Sequence, residues 1–215
     1  MIMQRSLYRL LRNGLFTGLL CLCACAASQA RAGTVLVLGD SISAAYGMSL
    51  QQGWVALLER KLRDSHPQIR VVNASISGET SAGGLRRLPQ LLQQYRPQLV
   101  IIELGANDGL RGYPVRTLRR NLQQLIDLAT AADARVILLP MEIPPNYGGR
   151  YTTDFRQSYT QVAQATGAAL APFVLEGVAT ESALMQDDGL HPTAAAQPVL
   201  LDNVLPTVLS VLDEL

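Results

Sequence analysis

Cysteine and histidine are both scarce in this chain. The three cysteines lie at positions 21, 23 and 25, and the two histidines are His66 and His191. Beyond residue 25 the chain therefore has no thiol for a disulfide, a thiolate nucleophile or a zinc–thiolate site. Chemistry that needs a histidine as general base has only these two residues to choose from.

A run of basic residues is also missing. The chain has 18 Lys and Arg against 17 Asp and Glu, and Arg5, Arg9 and Arg12 all lie near its N-terminus. If that segment is removed, the remaining chain is slightly acidic, because no acidic residue precedes Asp40. Such a chain has no electrostatic footprint for nucleic acid, so no nucleic-acid partner is expected.

The first 32 residues have the pattern of a secretory signal peptide. Basic residues precede an apolar stretch at 15–27, and the small residues Ala30 and Ala32 offer two cleavage positions. The apolar stretch is shorter than the roughly 20 residues that a membrane span needs, so no stable membrane span is expected. We therefore predict a signal peptide at 1–32 and a periplasmic or secreted mature protein.

A lipid anchor is a weaker alternative for the same segment. Leu22-Cys23-Ala24-Cys25 loosely resembles a bacterial lipoprotein cleavage box, with acylation at Cys25. A cysteine in the second position fits that box poorly. Cleavage without lipidation is the favoured interpretation.

The rest of the chain alternates between strand and helix patterns. Apolar, β-branched runs predict strands at 34–38, 69–73, 99–104, 135–139 and 168–171, and helical spacing predicts helices at 50–63, 81–95, 115–129, 152–166 and 194–212. Repeated β–α units favour a parallel sheet with helices on both faces. The predicted fold is α/β: one three-layer α/β/α sandwich with a mostly parallel, flavodoxin-like five-stranded sheet. In such sheets the site lies beyond the carboxyl ends of the strands.

A serine stands at that edge, since the first predicted strand ends in Gly39-Asp40-Ser41-Ile42-Ser43. Gly39 allows a tight turn, and backbone N–H groups there can face a developing oxyanion. A serine hydroxyl is a weak nucleophile until a base takes its proton. The pattern is not the Gly-x-Ser-x-Gly elbow of the α/β-hydrolases, and Gly-Asp-Ser alone is equally well an ordinary turn.

The base is predicted from Asp188 and His191, which stand near the C-terminus in the segment Asp-Gly-Leu-His. A carboxylate one turn from the imidazole can accept the Nδ1 proton, which fixes the tautomer and leaves Nε2 free to act as base. Asp187 competes with Asp188 for this role. His66 precedes a proline at the end of an amphipathic helix and is expected to be an exposed surface residue.

Two further loops at the same edge hold candidate oxyanion donors. Gly78 follows the second strand, and Asn107 follows the third with a side-chain amide that donates without titrating. Either residue alone is better explained as part of a turn. Unrelated turns give no reason for a nucleophile, a base, a carboxylate and oxyanion donors to occur together at one sheet edge. The combination therefore favours nucleophilic acyl transfer.

These motifs carry a family resemblance. The segments 39–43, Gly78, 105–108 and 188–191 resemble the four sequence blocks of the SGNH (GDSL-type) hydrolases in order and spacing. The chain is closer still to the small periplasmic thioesterase, arylesterase and lysophospholipase enzymes of Gram-negative bacteria. Ile42 stands where the family commonly has leucine, which is a mild change at an apolar position.

The resemblance implies a serine esterase with a hydrolase domain at 33–215. Ser41 would be the nucleophile, His191 the base and Asp188 the acid that orients it. The Ser41 N–H, the Gly78 N–H and the Asn107 amide would form the oxyanion hole. No metal or organic cofactor is needed for this chemistry.

Substrate contacts are expected from two loops that follow the third and fourth strands, because these loops contain glycines and tyrosines and match the family. The candidate substrate-binding residues are Asp40, Gly109, Leu110, Tyr113, Ile143, Pro144 and Tyr147. The expected partner is a small acyl ester or thioester, with a lysophospholipid as a further candidate, and the expected oligomeric state is a monomer.

Three other functions remain open at this stage. A carbohydrate O-acetyl esterase would carry the same four blocks. A catalytically silent module that binds acyl groups or sugars would share the fold. A nucleotide-binding domain is disfavoured, because the turn after the first strand lacks Gly-x-Gly-x-x-Gly.

Overall fold

A computed structural model describes residues 33–215, which form five strands and six α-helices. The strands are β1 (Gly33–Gly39), β2 (Ile69–Asn73), β3 (Leu99–Glu103), β4 (Arg135–Leu138) and β5 (Ala169–Leu170). Their order is β2-β1-β3-β4-β5, and every neighbouring pair is parallel. The predicted flavodoxin-like sheet is confirmed. The predicted signal peptide and the alternative lipid anchor at Cys25 lie outside the described residues.

Two groups of helices cover this sheet. The helices are α1 (Trp54–Ser65), α2 (Ser81–Tyr95), α3 (Ala106–Leu110), α4 (Val115–Ala131), α5 (Gly149–Thr166) and α6 (Gln197–Asp213). α1 packs against α6, while α2 and α5 both pack against α4. One group lies on each face of the sheet, which gives the three predicted layers.

The central strands are buried without interruption. Leu36, Val37 and Leu38 of β1 have no exposed surface, and the same is true of Ile101 and Ile102 of β3. Consecutive residues of a strand point to opposite faces, so unbroken burial requires cover on both sides. This is the reason that the two segments read as continuous apolar runs rather than as alternating ones.

The short helix α3 is not predicted by the sequence pattern. It follows β3 almost directly, and its polar residues show no apolar period. Gly105 precedes it with φ 121°, a backbone conformation that favours glycine. A Cβ at Gly105 would lie 2.2 Å from the Tyr159 hydroxyl oxygen, so the close packing also requires glycine. The turn into α3 is therefore fixed by a residue without a side chain.

The predicted helices at 50–63 and 194–212 each begin with a short 3-10 turn, so that α1 starts at Trp54 and α6 at Gln197. The two starts are joined, because the Trp54 N–H donates to Gln197 Oε1 over 2.9 Å. The first N–H groups of a helix have no partner within it, and this bond supplies one. The start of α1 is thereby fixed against α6.

Within residues 33–215, one helical stretch, Ala194–Asp213, is long and apolar enough to cross a membrane. Its Leu200, Val204 and Val208 have no exposed surface. Packing into the core of the protein therefore accounts for the apolar composition of this helix.

Candidate active site

Ser41, His191 and Asp188 meet at the carboxyl edge of the sheet. The Ser41 Oγ lies 2.9 Å from His191 Nε2, and His191 Nδ1 lies 2.6 Å from Asp188 Oδ2. Ser41 follows β1, whereas the other two residues lie in the loop before α6. Both distances are hydrogen-bond lengths. The hydroxyl, the imidazole and the carboxylate therefore form one continuous chain.

The Asp188 carboxylate is held by its own loop. Its Oδ1 accepts hydrogen bonds from the Leu190 and His191 N–H groups at 2.9 and 3.0 Å. The hydrogen bond with the His191 ring, followed by these two backbone bonds, lowers the pKa of Asp188 from 3.8 to about 2. The imidazole bonds to Asp188 and not to Asp187. Of the two acids that the sequence leaves open, Asp188 is the one placed to orient the ring.

Two residues that the sequence does not single out hold His191 against the loop after β1, which carries Ser41. The ring of Tyr46 packs on the imidazole of His191 with centroids 4.4 Å apart. The Gln186 Nε2 donates to the Tyr46 carbonyl at 2.9 Å and to the Pro192 carbonyl at 3.0 Å. These contacts join the loop after β1 to the loop before α6. Neither Tyr46 nor Gln186 belongs to a motif that could reveal this role in a single sequence.

Asn107 lies in the first turn of α3, where its side chain faces Asp40. The Asn107 Nδ2 donates to Asp40 Oδ2 at 3.1 Å, and Asp40 Oδ1 accepts from the Ile42 N–H at 3.1 Å. Burial raises the pKa of Asp40 to about 6, against the opposing effect of its hydrogen bonds. One amide proton of Asn107 is bound by Asp40, which leaves the second for an oxygen of a ligand.

The backbone supplies two further donors. Within residues 33–215 the Ser41 and Gly78 N–H groups have no protein acceptor. Gly78 has φ 79°, and its carbonyl accepts a hydrogen bond from Arg111 Nη2 at 3.1 Å. This bond restrains the peptide that follows Gly78, next to the Gly78 N–H, which stays unpaired. Unpaired backbone N–H groups are the usual donors of an oxyanion hole.

Asp108, next to Asn107, bonds to α2 instead of lining the cavity. Its carboxylate accepts from the Ser81 N–H at 2.8 Å and from the Ser81 hydroxyl at 2.6 Å. The Ser81 Oγ in turn accepts from Asn121 Nδ2 at 2.9 Å. These buried bonds fix α3 against α2 and α4, and with it the position of Asn107.

Ser41, Asn107 and His191 line a cavity of about 200 Å³. Its other lining residues, which are mostly apolar, are Asp40, Ile42, Ala106, Leu110, Met141, Glu142, Pro144, Leu175 and Leu190. A neighbouring groove of about 340 Å³ shares part of this wall and continues to Ile143, Phe173 and Met185. Gly78 lies outside both linings. A polar corner formed by Ser41, Asn107 and His191 thus adjoins a mostly apolar surface.

Comparison with known proteins now assigns a family. Residues 37–198 match the GDSL-like lipase/acylhydrolase family. The chain belongs to this family. The resemblance found in the four sequence blocks is thereby confirmed.

Individual relatives of this GDSL-like acylhydrolase match it over most of their length. Esterase TesA of Pseudomonas aeruginosa is 56% identical over 180 residues, which is 84% of this chain and 90% of its own. Thioesterase 1/protease 1/lysophospholipase L1 of Escherichia coli is 45% identical over 173 residues, 80% of this chain and 82% of its own. The crystal structure of psychrotrophic esterase EstA from Pseudoalteromonas sp., inhibited by monoethylphosphonate, has a TM-score of 0.81 at 48% identity and covers 84% of this chain and 99% of its own.

The predicted substrate-binding residues of this GDSL-like acylhydrolase occupy different positions. Those that line the cavity are Asp40, Leu110 and Pro144, Ile143 lines the neighbouring groove, and Gly109, Tyr113 and Tyr147 line neither. A Cβ at Gly109 would lie 2.6 Å from Ile143 Cγ2, so this glycine allows close packing behind the lining of the groove. The Tyr147 hydroxyl donates to the Leu110 carbonyl at 2.9 Å. Tyr147 therefore supports Leu110, a residue of the cavity lining, from outside the cavity.

His66 is not the exposed surface residue that the sequence predicts. It is half-buried, with Nε2 3.3 Å from Asp213 Oδ1 and Nδ1 2.9 Å from Ser65 Oγ. It lies after the last turn of α1, before β2 begins, and so at the opposite edge of the sheet from Ser41. Within residues 33–215 no cluster of His, Cys, Asp and Glu is suited to a metal ion.

Proposed function

We propose that this GDSL-like acylhydrolase cleaves esters through a covalent acyl-enzyme on Ser41. The observation that carries the proposal is the unbroken chain from the Ser41 Oγ through His191 to Asp188, with contacts of 2.9 and 2.6 Å. Ester hydrolysis itself is confirmed by relatives that are 56% and 45% identical and are named as an esterase and as a thioesterase and lysophospholipase. The roles of the residues and the subclass of substrate are the proposed part.

The reaction begins when the Ser41 Oγ attacks the acyl carbonyl carbon while His191 Nε2 takes the hydroxyl proton. Asp188 accepts the Nδ1–H, which keeps Nε2 unprotonated before the attack and stabilises the imidazolium that forms. Collapse of the tetrahedral intermediate expels the alcohol or thiol, which takes the proton from His191. A water molecule activated by the same histidine then releases the acid and regenerates Ser41.

The negative charge that develops on the carbonyl oxygen needs fixed donors. The Ser41 N–H, the Gly78 N–H and the free amide proton of Asn107 are proposed to supply them. The two backbone donors are unpaired within residues 33–215, and the Asn107 side chain is already oriented by Asp40. Donors held in place before the reaction need no reorganisation when the charge develops.

The substrate is proposed to be a small acyl ester or thioester. The cavity beside Ser41 is bounded mainly by aliphatic side chains, which suit a hydrocarbon chain better than a sugar ring. The neighbouring groove extends this surface and could take the end of a longer chain, such as the single acyl chain of a lysophospholipid. No structural feature of residues 33–215 favours a carbohydrate O-acetyl ester over these substrates.

The proposed location is the periplasm or the exterior of a Gram-negative cell. The support is the signal-peptide pattern of residues 1–32. We further propose that the enzyme works as a monomer without a metal, an organic cofactor or a nucleic-acid partner. All residues of the proposed machinery come from one chain.

A substrate panel tests the proposal. Wild type, Ser41→Ala and the matched surface variant Ser182→Ala are assayed on p-nitrophenyl esters from acetyl to dodecanoyl, on acyl-CoA thioesters, on lysophospholipids and on O-acetylated sugars. We expect turnover of acyl esters and thioesters that Ser41→Ala abolishes and Ser182→Ala leaves unchanged, because Ser182 lies in an exposed turn away from the cavity.

Two outcomes would contradict the proposed mechanism, and a third would contradict the proposed substrate. Equal turnover by wild type and Ser41→Ala would remove the serine from the mechanism. Binding of acyl compounds without any turnover would identify a silent acyl-binding module. Turnover confined to acetylated sugars would keep the mechanism and replace the substrate class.

A further inference from the structure

A fully buried carboxyl group stands beneath the nucleophile turn, and the reaction above does not use it. Glu103 is the last residue of β3 and has no exposed surface. In the sheet it pairs with Gly39, the last residue of β1. Carboxyl groups are almost never fully buried without a partner, so this position requires an explanation.

Glu103 holds the turn on both sides of Ser41. Its Oε2 accepts from the Asp40 N–H at 3.2 Å and from the Ser43 hydroxyl at 2.7 Å. The Ser43 Oγ in turn accepts from Trp54 Nε1 at 3.2 Å. The residues just before and two after the nucleophile are therefore bound to one oxygen at the end of β3.

The second carboxyl oxygen of Glu103, Oε1, indicates that the group is neutral rather than ionised. Oε1 has no hydrogen-bond partner within residues 33–215. An ionised carboxylate with one oxygen unpaired in the core would be very costly, whereas a neutral acid is tolerated. Burial, followed by the nearby Asp40 carboxylate, raises the pKa of Glu103 well above its ordinary value.

Asp40 has the opposite environment. Both of its oxygens accept hydrogen bonds, from the Ile42 N–H and from the Asn107 amide. Hydrogen bonds to a carboxylate favour its charged form. Of two adjacent buried acids that cannot both ionise cheaply, Asp40 is the better placed to carry the charge.

We propose that Glu103 is a positioning residue of the proposed esterase reaction: as a neutral acid it holds the turn that carries Ser41 and leaves the negative charge of the pair on Asp40, beside Asn107. This inference rests on the proposed function of Ser41. Through these contacts one buried side chain sets both the position of the nucleophile and the charge that orients the oxyanion donor.

Other ionisable groups also act on this pair. An imidazolium at His191, which forms during the reaction, would stabilise the charged form of Asp40 through space, and the buried Tyr159 of α5 lies within electrostatic range of Asp40 and Asp108. Burial, followed by the negative charges of Asp108 and Asp40, raises the pKa of Tyr159 well above its ordinary value, so that its hydroxyl stays neutral and donates to the Leu104 carbonyl. No basic side chain in residues 33–215 forms an ion pair with Glu103.

The first experiment compares Glu103→Gln with Glu103→Leu. The glutamine is neutral and keeps a carbonyl oxygen for the two donors, so we expect kcat within about threefold of wild type and an unchanged pH profile above about pH 7. The leucine removes the acceptor, and we expect kcat to fall by about 10- to 100-fold with KM within about twofold, because small displacements of a reacting group are costly.

Two variants serve as controls for this comparison. Asn203→Leu also removes two side-chain hydrogen bonds to backbone, at Val174 and Glu176, and is expected to lower stability without changing kcat. If Glu103→Leu does not fold, Ser43→Ala removes one of the two donors and is expected to lower kcat severalfold at constant KM. Full kcat in Glu103→Leu or in Ser43→Ala would overturn the positioning role, as would a large loss in Glu103→Gln.

The second experiment measures the charge without using activity. At about pH 8, where Asp40 is ionised, infrared spectra of wild type should contain the carbonyl stretch of one protonated carboxylic acid. The band should be absent from Glu103→Gln and present in Glu176→Gln, an exposed control. Absence of the band in wild type, or its persistence in Glu103→Gln, would overturn the inference. Since the spectrum requires no substrate, a failure of the esterase assay would be distinguishable from a failure of this assignment.

Discussion

The ring of Tyr46 lies over the imidazole of His191, with the centroids 4.4 Å apart and the planes inclined by 35°. Tyr46 comes from the loop after β1, which carries Ser41, and His191 from the loop before α6, so the contact joins the two segments that the proposed reaction must hold together. The same two segments are joined by the hydrogen bond from Gln186 to the Tyr46 carbonyl. The position of the His191 ring therefore depends on the loop after β1, which carries Ser41.

Replacing the stacked ring should weaken catalysis. We expect Tyr46→Leu to lower kcat by roughly 2- to 10-fold, because aromatic pairs are worth about 0.5–1.5 kcal/mol beyond their buried area. Tyr46→Phe keeps the ring and should retain the wild-type rate. The measurement is kcat on a p-nitrophenyl ester for all three proteins. Equal rates in Tyr46→Leu and wild type would show that the stacking does not hold the base.

The two adjacent acids should differ sharply in importance. Asp188→Asn should lower kcat by about 10³-fold or more, since a neutral amide, which can also donate to Nδ1, neither selects the Nδ1–H tautomer nor stabilises the imidazolium. Asp187→Asn is the matched control and should be near wild type, because the imidazole bonds to Asp188. With its pKa lowered to about 2, Asp188 stays ionised in the wild type throughout an assay range of about pH 4 to 9. A comparable loss in both variants would contradict the assignment.

Removal of the Asn107 amide tests the oxyanion hole. Asn107→Ala should lower kcat by about 10²–10³-fold, as in other acyl-transfer sites that lose one donor. Circular dichroism should show that the variant still folds, since Asn107 is only part-buried and α3 is fixed through Asp108. A near-full rate in the folded variant would remove this side chain from the oxyanion hole.

Asp40 should destabilise the protein as the pH rises. The folded-state pKa of Asp40, about 6, exceeds the ordinary value of 3.8, so the unfolded chain loses this proton at a lower pH than the folded protein does. The free energy of unfolding therefore falls as the pH rises from about 4 to about 6. Relative to Asp40→Asn, wild type should lose stability across that window and show a constant difference above it. Urea unfolding of both proteins at a series of pH values measures the difference. A stability difference between the two proteins that does not change with pH would contradict the raised pKa of the buried Asp40 carboxyl group.

The elements of the sheet could be predicted from the sequence, because the buried strands are continuous apolar runs, and so could most of the residues that meet at the candidate site. The predicted bounds of the second strand and of the helix after it agree with β2 (Ile69–Asn73) and α2 (Ser81–Tyr95). Ser41, Asn107 and His191 could be placed at one edge because the carboxyl ends of parallel strands meet there.

The rest depends on contacts between distant segments that leave no local pattern. α3 has no apolar period, and its start is set by space around Gly105 against Tyr159. The choice between Asp187 and Asp188 needs the conformation of one loop. The glycines and tyrosines of two loops, together with the family resemblance, predict Tyr113 and Tyr147 as substrate contacts, but neither lines the cavity or the groove, and the Tyr147 hydroxyl donates to the Leu110 carbonyl. In the sequence, Glu103 is only one residue of a predicted strand. Its polar role is visible only in the structure, where it accepts hydrogen bonds from the Asp40 N–H and the Ser43 hydroxyl.

Covalent labelling with an organophosphonate that carries a p-nitrophenyl leaving group, followed by mass spectrometry of the intact protein and its peptides, tests Ser41 as the nucleophile most directly. We expect one adduct per chain on Ser41, formed slowly in Asp188→Asn and not formed in Ser41→Ala. Failure of wild type to label, or an adduct on any other residue, would contradict Ser41 as the nucleophile.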